Sequence, residues 1–63
     1  MIKIMEVVGI SNAGYSEAVK DIVKKVVDSG KKVYWFEIVE QRGAAKGNNI
    51  EFQVKLKIAV ESQ

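Results

Sequence analysis

From Ile50 to Val60 the chain alternates without a break. Ile50, Phe52, Val54, Leu56, Ile58 and Val60 are apolar, and Glu51, Gln53, Lys55, Lys57 and Ala59 fall between them. A period of two predicts a strand with one face in a core and one polar face. Ile2 to Val8 is less regular. Ile2, Ile4 and Val8 share one parity, interrupted by Glu6, while Met5 and Val7 occupy the other. Apolar groups on both faces suit a strand covered on two sides. Val33 to Gln41 is rich in β-branched and aromatic residues and predicts a further strand. Its even positions Tyr34, Phe36 and Ile38 are assigned to the core side, and its odd positions Val33, Trp35 and Val39 to the opposite face.

Between the first two strands the period changes. After Gly9-Ile10-Ser11-Asn12-Ala13-Gly14, the residues Val19, Ile22, Val23, Val26 and Val27 recur at three- and four-residue spacing. That is one apolar stripe on a helix. Gly14 or Ser16 is the expected N-cap, and Glu17 in the first turn complements the helix dipole. Valine is a mediocre helix former, so tertiary packing must hold this helix. Gly30 followed by Lys31-Lys32 is a stop signal. Gly43-Ala44-Ala45-Lys46-Gly47-Asn48-Asn49 has the composition of a hairpin connection.

The order is strand, helix, strand, strand in one α+β domain spanning residues 1–63. The simplest packing is a three-stranded antiparallel sheet wrapped on the helix. The sheet face away from the helix then carries Val33, Trp35 and Val39 beside Gln53, Lys55 and Lys57, a surface suited to association or binding.

Size sharpens that expectation. Folding 63 residues buries roughly 6,000 Å². With about 60% of it apolar, burial contributes roughly 90 kcal/mol. Ordering the chain costs roughly 95 kcal/mol. The balance is near zero, and the sequence has no cysteine for a disulfide and no histidine or cysteine for a structural zinc. Oligomerisation is the remaining common route to extra burial. The N-terminus alternates where a secretory signal would show an apolar run, and no stretch is long enough to span a bilayer, so a cytoplasmic protein is expected. The net charge of +2 permits an anionic ligand without indicating nucleic acid.

The absence of His and Cys removes Ser-His and Cys-His catalysis. Gly9 and Gly14 do not fit a phosphate-loop or dinucleotide spacing. Glu37, Glu40 and Glu51 are the available carboxylates, and pairing with Lys or Arg is their simplest role. No catalytic or metal-ligating residue is assigned, and a ligand-binding role is favoured over an enzyme. Trp35 lies on the face opposite Phe36. From its residues alone it either stacks on a flat ligand or packs at a subunit interface. Gln53, on the polar face, is either solvated surface or an amide suited to the imide edge of a flat heteroaromatic ring. Arg42, Lys55 and Lys57 are either solubilising charge or cations that meet a phosphate.

Three segments resemble a known family. Trp35 to Gly43, WFEIVEQRG, closely resembles the signature of the dodecins. Phe52 to Ile58, FQVKLKI, resembles their last strand, and Glu6 to Ser11, EVVGIS, their strand-to-helix junction. The resemblance spans almost the whole chain in the right order. It implies a homododecamer forming a hollow shell, with flavins stacked in pairs at two-fold subunit contacts. It implies flavin storage and quenching of flavin photochemistry without turnover. By matching position, Trp35 would stack on the flavin, Gln53 would contact it, and Arg42 would lie near it. FMN is the expected ligand, with riboflavin next. The alternative is a dodecin-like assembly whose main ligand is coenzyme A or a metal ion such as calcium. The chain departs from the family pattern at Ile10, where Thr is usual, at Gly30, in its Val- and Lys-rich helix, in a shorter hairpin, and in Ala59-Val60 where Gly-Phe is usual.

Overall fold

The computed structural model describes residues 1–62 of the chain. Strand β1 covers Ile2–Ser11, helix α1 Tyr15–Asp28, strand β2 Val33–Lys46 and strand β3 Asn49–Glu61. The sheet order is β1-β3-β2, with both pairings antiparallel. The strictly alternating segment is therefore the central strand. Its even residues Val54, Leu56, Ile58 and Val60 are buried beneath α1, and Ala18 and Val26 of the helix complete the core.

The helix stripe is centred differently from the sequence reading. Ala18 is fully buried, while Val27 is exposed. The cause is a close approach between backbones. A Cβ added to Gly9 would lie 2.6 Å from the Ala18 carbonyl oxygen and 3.1 Å from Ile22 Cβ. Only a residue without a side chain lets the helix sit this low on β1, and this seating turns Ala18 towards the sheet. Gly14 is the N-cap, and its carbonyl accepts from the Ala18 N–H at 3.0 Å. At the other end Ser29 Oγ donates to the Val26 carbonyl at 2.6 Å, and Gly30 adopts φ 93°, a conformation that ends the helix.

The hairpin differs too. Ala44, Ala45 and Lys46 pair with Glu51, Ile50 and Asn49, so β2 continues through residues expected in a loop. Two residues, Gly47 and Asn48, make the turn. Gly47 has φ 62° and Asn48 does not share the positive sign, the φ pattern of a type II′ turn, whose twist matches the strands it joins.

Two bulges interrupt β2. The register shifts between Val33 and Trp35 and again between Ile38 and Glu40. Val33 consequently lies opposite Val60 and packs against the core, contrary to its assignment to the outer face. Phe36 and Ile38 lie opposite Ile58 and Leu56, on the helix side as expected. The helix leans over β1 and β3, however, and leaves both about half exposed in the single chain. They border an open apolar groove of about 340 Å³ with Tyr15, Val19 and Gln41.

Tyr34, at the first bulge, does not join the core. Its hydroxyl donates to Glu61 Oε1, and Lys32 Nζ sits 5.2 Å from the centre of its ring. The other Glu61 oxygen accepts from the N-terminal ammonium at 2.8 Å. One carboxylate thus ties the start of β1 and the start of β2 to the end of β3. The hydrogen bond to Glu61 raises the Tyr34 phenol above its ordinary 10.0, and the ammonium and phenol together hold the Glu61 carboxyl below its ordinary 4.5. The signs give a window. A raised phenol stabilises the fold below pH 10.0 and loses that contribution as pH climbs through its folded value. A depressed carboxylate stabilises above pH 4.5 and fails as pH falls through its folded value.

Two outcomes follow from this architecture. Gly9→Ala should destabilise the chain by about 1–3 kcal/mol in chemical denaturation, because the atom it strikes first is helix backbone that cannot rotate away. In an NMR titration, the Tyr34 ring should ionise above the ordinary tyrosine value of 10.0, and Glu61→Gln should bring it back towards that value. An unchanged Tyr34 titration in that variant would show that the contact is not formed.

Candidate functional site

The sheet face away from α1 is set by the register. Across the three strands it carries rows Ile4, Ala59 and Trp35; Glu6, Lys57 and Glu37; Val8, Lys55 and Glu40; and Ile10, Gln53 and Arg42. Two kinds of surface result, one at each end.

At one end Trp35 lies opposite Ala59, which is fully buried although it faces outward, and Ile4 flanks it on β1. Trp35 and Ile4 each remain 47% exposed. The small central residue leaves a shallow apolar step between two larger neighbours. An indole with half its surface open is suited to receive a flat group on its face.

At the other end Val8, Glu40, Arg42, Gln53, Val54 and Lys55 border a hollow of about 260 Å³. Arg42 Nη2 donates to Glu40 Oε1 at 3.0 Å, and Gln53 Nε2 donates to Glu51 Oε1 at 2.9 Å. Lys55 Nζ lies 3.7 Å from Glu6 Oε1. The hollow therefore offers amide, guanidinium and ammonium groups beside the exposed Val8. Exposed ion pairs of this kind contribute little to stability, so they can rearrange around a ligand at low cost.

The structure brings Arg42 and Gln53 together as direct cross-strand partners. The bulge at Val39 makes this possible. By simple alternation Arg42 and Trp35 would face opposite ways. One extra residue returns Arg42 to the face of Trp35 and Gln53. Trp35 does not join them. Its row is six residues from theirs along β3, at Ala59 as against Gln53, which is roughly 20 Å at strand rise. Val8 is a member of the hollow that sequence reasoning did not single out, and Glu40 was named there only as an available carboxylate. Their alternation was visible, but their grouping depends on the register of three strands.

Among the described residues no three acidic, histidine or cysteine side chains converge as a metal site would need. Nor, among the described residues, is any helix long and apolar enough to cross a membrane.

Comparison with known proteins agrees with the architecture. Residues 1–62 match the family model described as Dodecin. The chain is similar to dodecin from Streptomyces coelicolor, with 30% identity, a TM-score of 0.89, and coverage of 100% of this chain and 91% of that one. It is also similar to dodecin from Streptomyces davaonensis, at 25% identity and a TM-score of 0.87, covering 100% and 96%. The fold is shared with a calcium-chelating antigen, calcium dodecin, from Mycobacterium tuberculosis, at 20% identity, a TM-score of 0.92 and coverage of 100% and 91%. No curated protein matches the sequence. With the family model spanning all but the last residue, the chain belongs to the dodecin family, whose members are self-assembling, ligand-binding proteins.

Proposed function

We propose that this chain assembles into a closed shell of twelve copies that binds flavin, stores it and quenches its photochemistry. The observation that carries the reading is the split of the outer face into two incomplete halves. One half is an exposed indole beside an apolar step. The other is a polar hollow of about 260 Å³, below the roughly 300–1,000 Å³ typical of small-molecule pockets. A rigid tricyclic ring cannot touch Trp35 and Gln53 of the same chain across roughly 20 Å. Both residues serve one ligand only when different copies meet.

The residues fit the group chemically. Trp35 supplies a stacking face. The Gln53 amide supplies a donor and an acceptor for an imide edge. Arg42 and Lys55 supply positive charge for a phosphate, tempered by Glu40 and Glu6. FMN is favoured on that charge, and riboflavin satisfies the ring contacts alone. An indole is a good electron donor to an excited flavin, so Trp35 would also extinguish emission. Assembly has its own motive in the half-exposed Phe36 and Ile38 on one side of β2 and the exposed Ile4, Val8 and Trp35 on the other face. A calcium- or coenzyme A-binding shell is the competing reading. The calcium-chelating relative lends it support, but it leaves the exposed indole without a role.

Light scattering at micromolar concentration should give a mass near twelve chains, and a single-chain mass there would sink the assembly. Titrating FMN and riboflavin into ligand-free protein should extinguish flavin fluorescence. Trp35→Ala and Gln53→Ala should each weaken binding about ten-fold or more, from lost stacking and from an unpaired polar edge. Trp35→Phe should restore emission from the bound flavin, whereas Gln53→Ala should not. Unchanged emission at saturating flavin, with no heat of binding in calorimetry, would reject flavin as the ligand.

A further inference from the structure

We propose that Glu51 is a positioning residue that fixes the orientation of the Gln53 amide, so that the hollow presents one acceptor and one donor to a ligand edge in which N–H is flanked by C=O. The identity of that edge rests on the flavin reading, whereas the orientation itself does not.

Glu51 and Gln53 are two residues apart on β3 and share its outer face. An ionised carboxylate can only accept hydrogen bonds. The amide atom 2.9 Å from Glu51 Oε1 is therefore the nitrogen, and the Gln53 carbonyl is turned away from it. Of the two amide N–H groups one is committed and one is left, beside a free Oε1. The nearest strong donor does not capture that oxygen, because Arg42, directly across the ladder, is drawn to Glu40 at 3.0 Å. Glu51 is itself restrained. Its side chain is only 24% exposed, and Lys46 Nζ lies 3.9 Å from the same carboxylate oxygen. Ala44 stands opposite it, and the two-residue turn at Gly47-Asn48 closes the ladder three residues away.

Without Glu51 the two ends of the Gln53 amide exchange freely. A ligand offering N–H would then have to order the amide on binding. A ligand lacking that N–H would simply turn the amide round and accept from its NH₂. The held amide is thus a discriminating device, and the discrimination should vanish with the carboxylate while binding itself survives.

The test uses the assembled full chain with riboflavin and 3-methylriboflavin, which carries a methyl in place of the imide N–H. Wild-type protein should prefer riboflavin. Glu51→Ala should reduce the ratio of the two affinities about three- to ten-fold, the cost of ordering a freed side chain. Glu51→Gln keeps a carbonyl acceptor and should keep most of the ratio. A merely structural role would weaken both ligands alike and leave the ratio unmoved. Side-chain ¹⁵N relaxation of ligand-free protein provides a second reading, with an ordered Gln53 amide in wild type and Glu51→Gln and a mobile one in Glu51→Ala. An unchanged ratio in Glu51→Ala, or a loss in Glu51→Gln as large as in Glu51→Ala, would overturn the role of Glu51. So would a mobile Gln53 amide in wild-type protein that binds riboflavin, and that outcome leaves the flavin reading standing. An ordered, Glu51-dependent amide in a protein that binds no flavin would support the positioning role and reject the flavin reading.

Discussion

The contact between Gly9 and Ala18 governs how this small chain is arranged. It lets one helix press its backbone close to the first strand, where any side chain at Gly9 would collide with the Ala18 carbonyl. The helix is therefore seated over β1 and the central β3 and reaches β2 only at its margin. Leu56, Ile58 and Val54 gain full burial from this placement, while Phe36 and Ile38, facing the same way on the neighbouring strand, do not. A helix of fourteen residues cannot cover three strands of up to fourteen, and the close contact decides which strand is left bare.

The bare strand is also the one that carries Trp35 and Arg42. Its outer face is divided between an apolar step and a polar hollow separated by about half the strand length. A ligand that drew on both ends would need a binding unit larger than the folding unit. The core made by β3 and α1 stabilises a subunit, and contacts between copies are needed to complete any site that draws on both ends of the face. The near-zero single-chain balance and the divided site have the same remedy, burial of β2 against another copy.

Much of this was legible in the sequence. The alternation from Ile50 to Val60 identified the central strand and its buried face, since a half-buried strand leaves no other trace so regular. The helix period, the stop at Gly30 and the placement of Trp35 opposite Phe36 also followed from spacing. What escaped detection were features of register. A bulge changes the parity of everything after it, so Val33 and Arg42 came to lie on faces that simple alternation did not give them. Gly43 to Lys46 have the composition of a loop but are held as strand by the partners Asn49 to Phe52 across the turn. Ala18 was overlooked because a small residue contributes little to an apolar stripe, and its importance depends on a glycine nine positions earlier. The grouping of Gln53 with Glu51 and Arg42 with Glu40 needed side-chain geometry as well as pattern.

The two bulges have a further consequence. In the single chain β2 is an outer strand of fourteen residues, long and apolar enough to recruit another strand along its free edge. A straight edge of that length would invite copy after copy to add in line, the route to a fibre. Irregularities at Tyr34 and Val39 cut the edge into short runs whose hydrogen-bonding groups do not keep one spacing. No incoming strand can then match it from end to end. Growth by repeated strand addition is thereby frustrated.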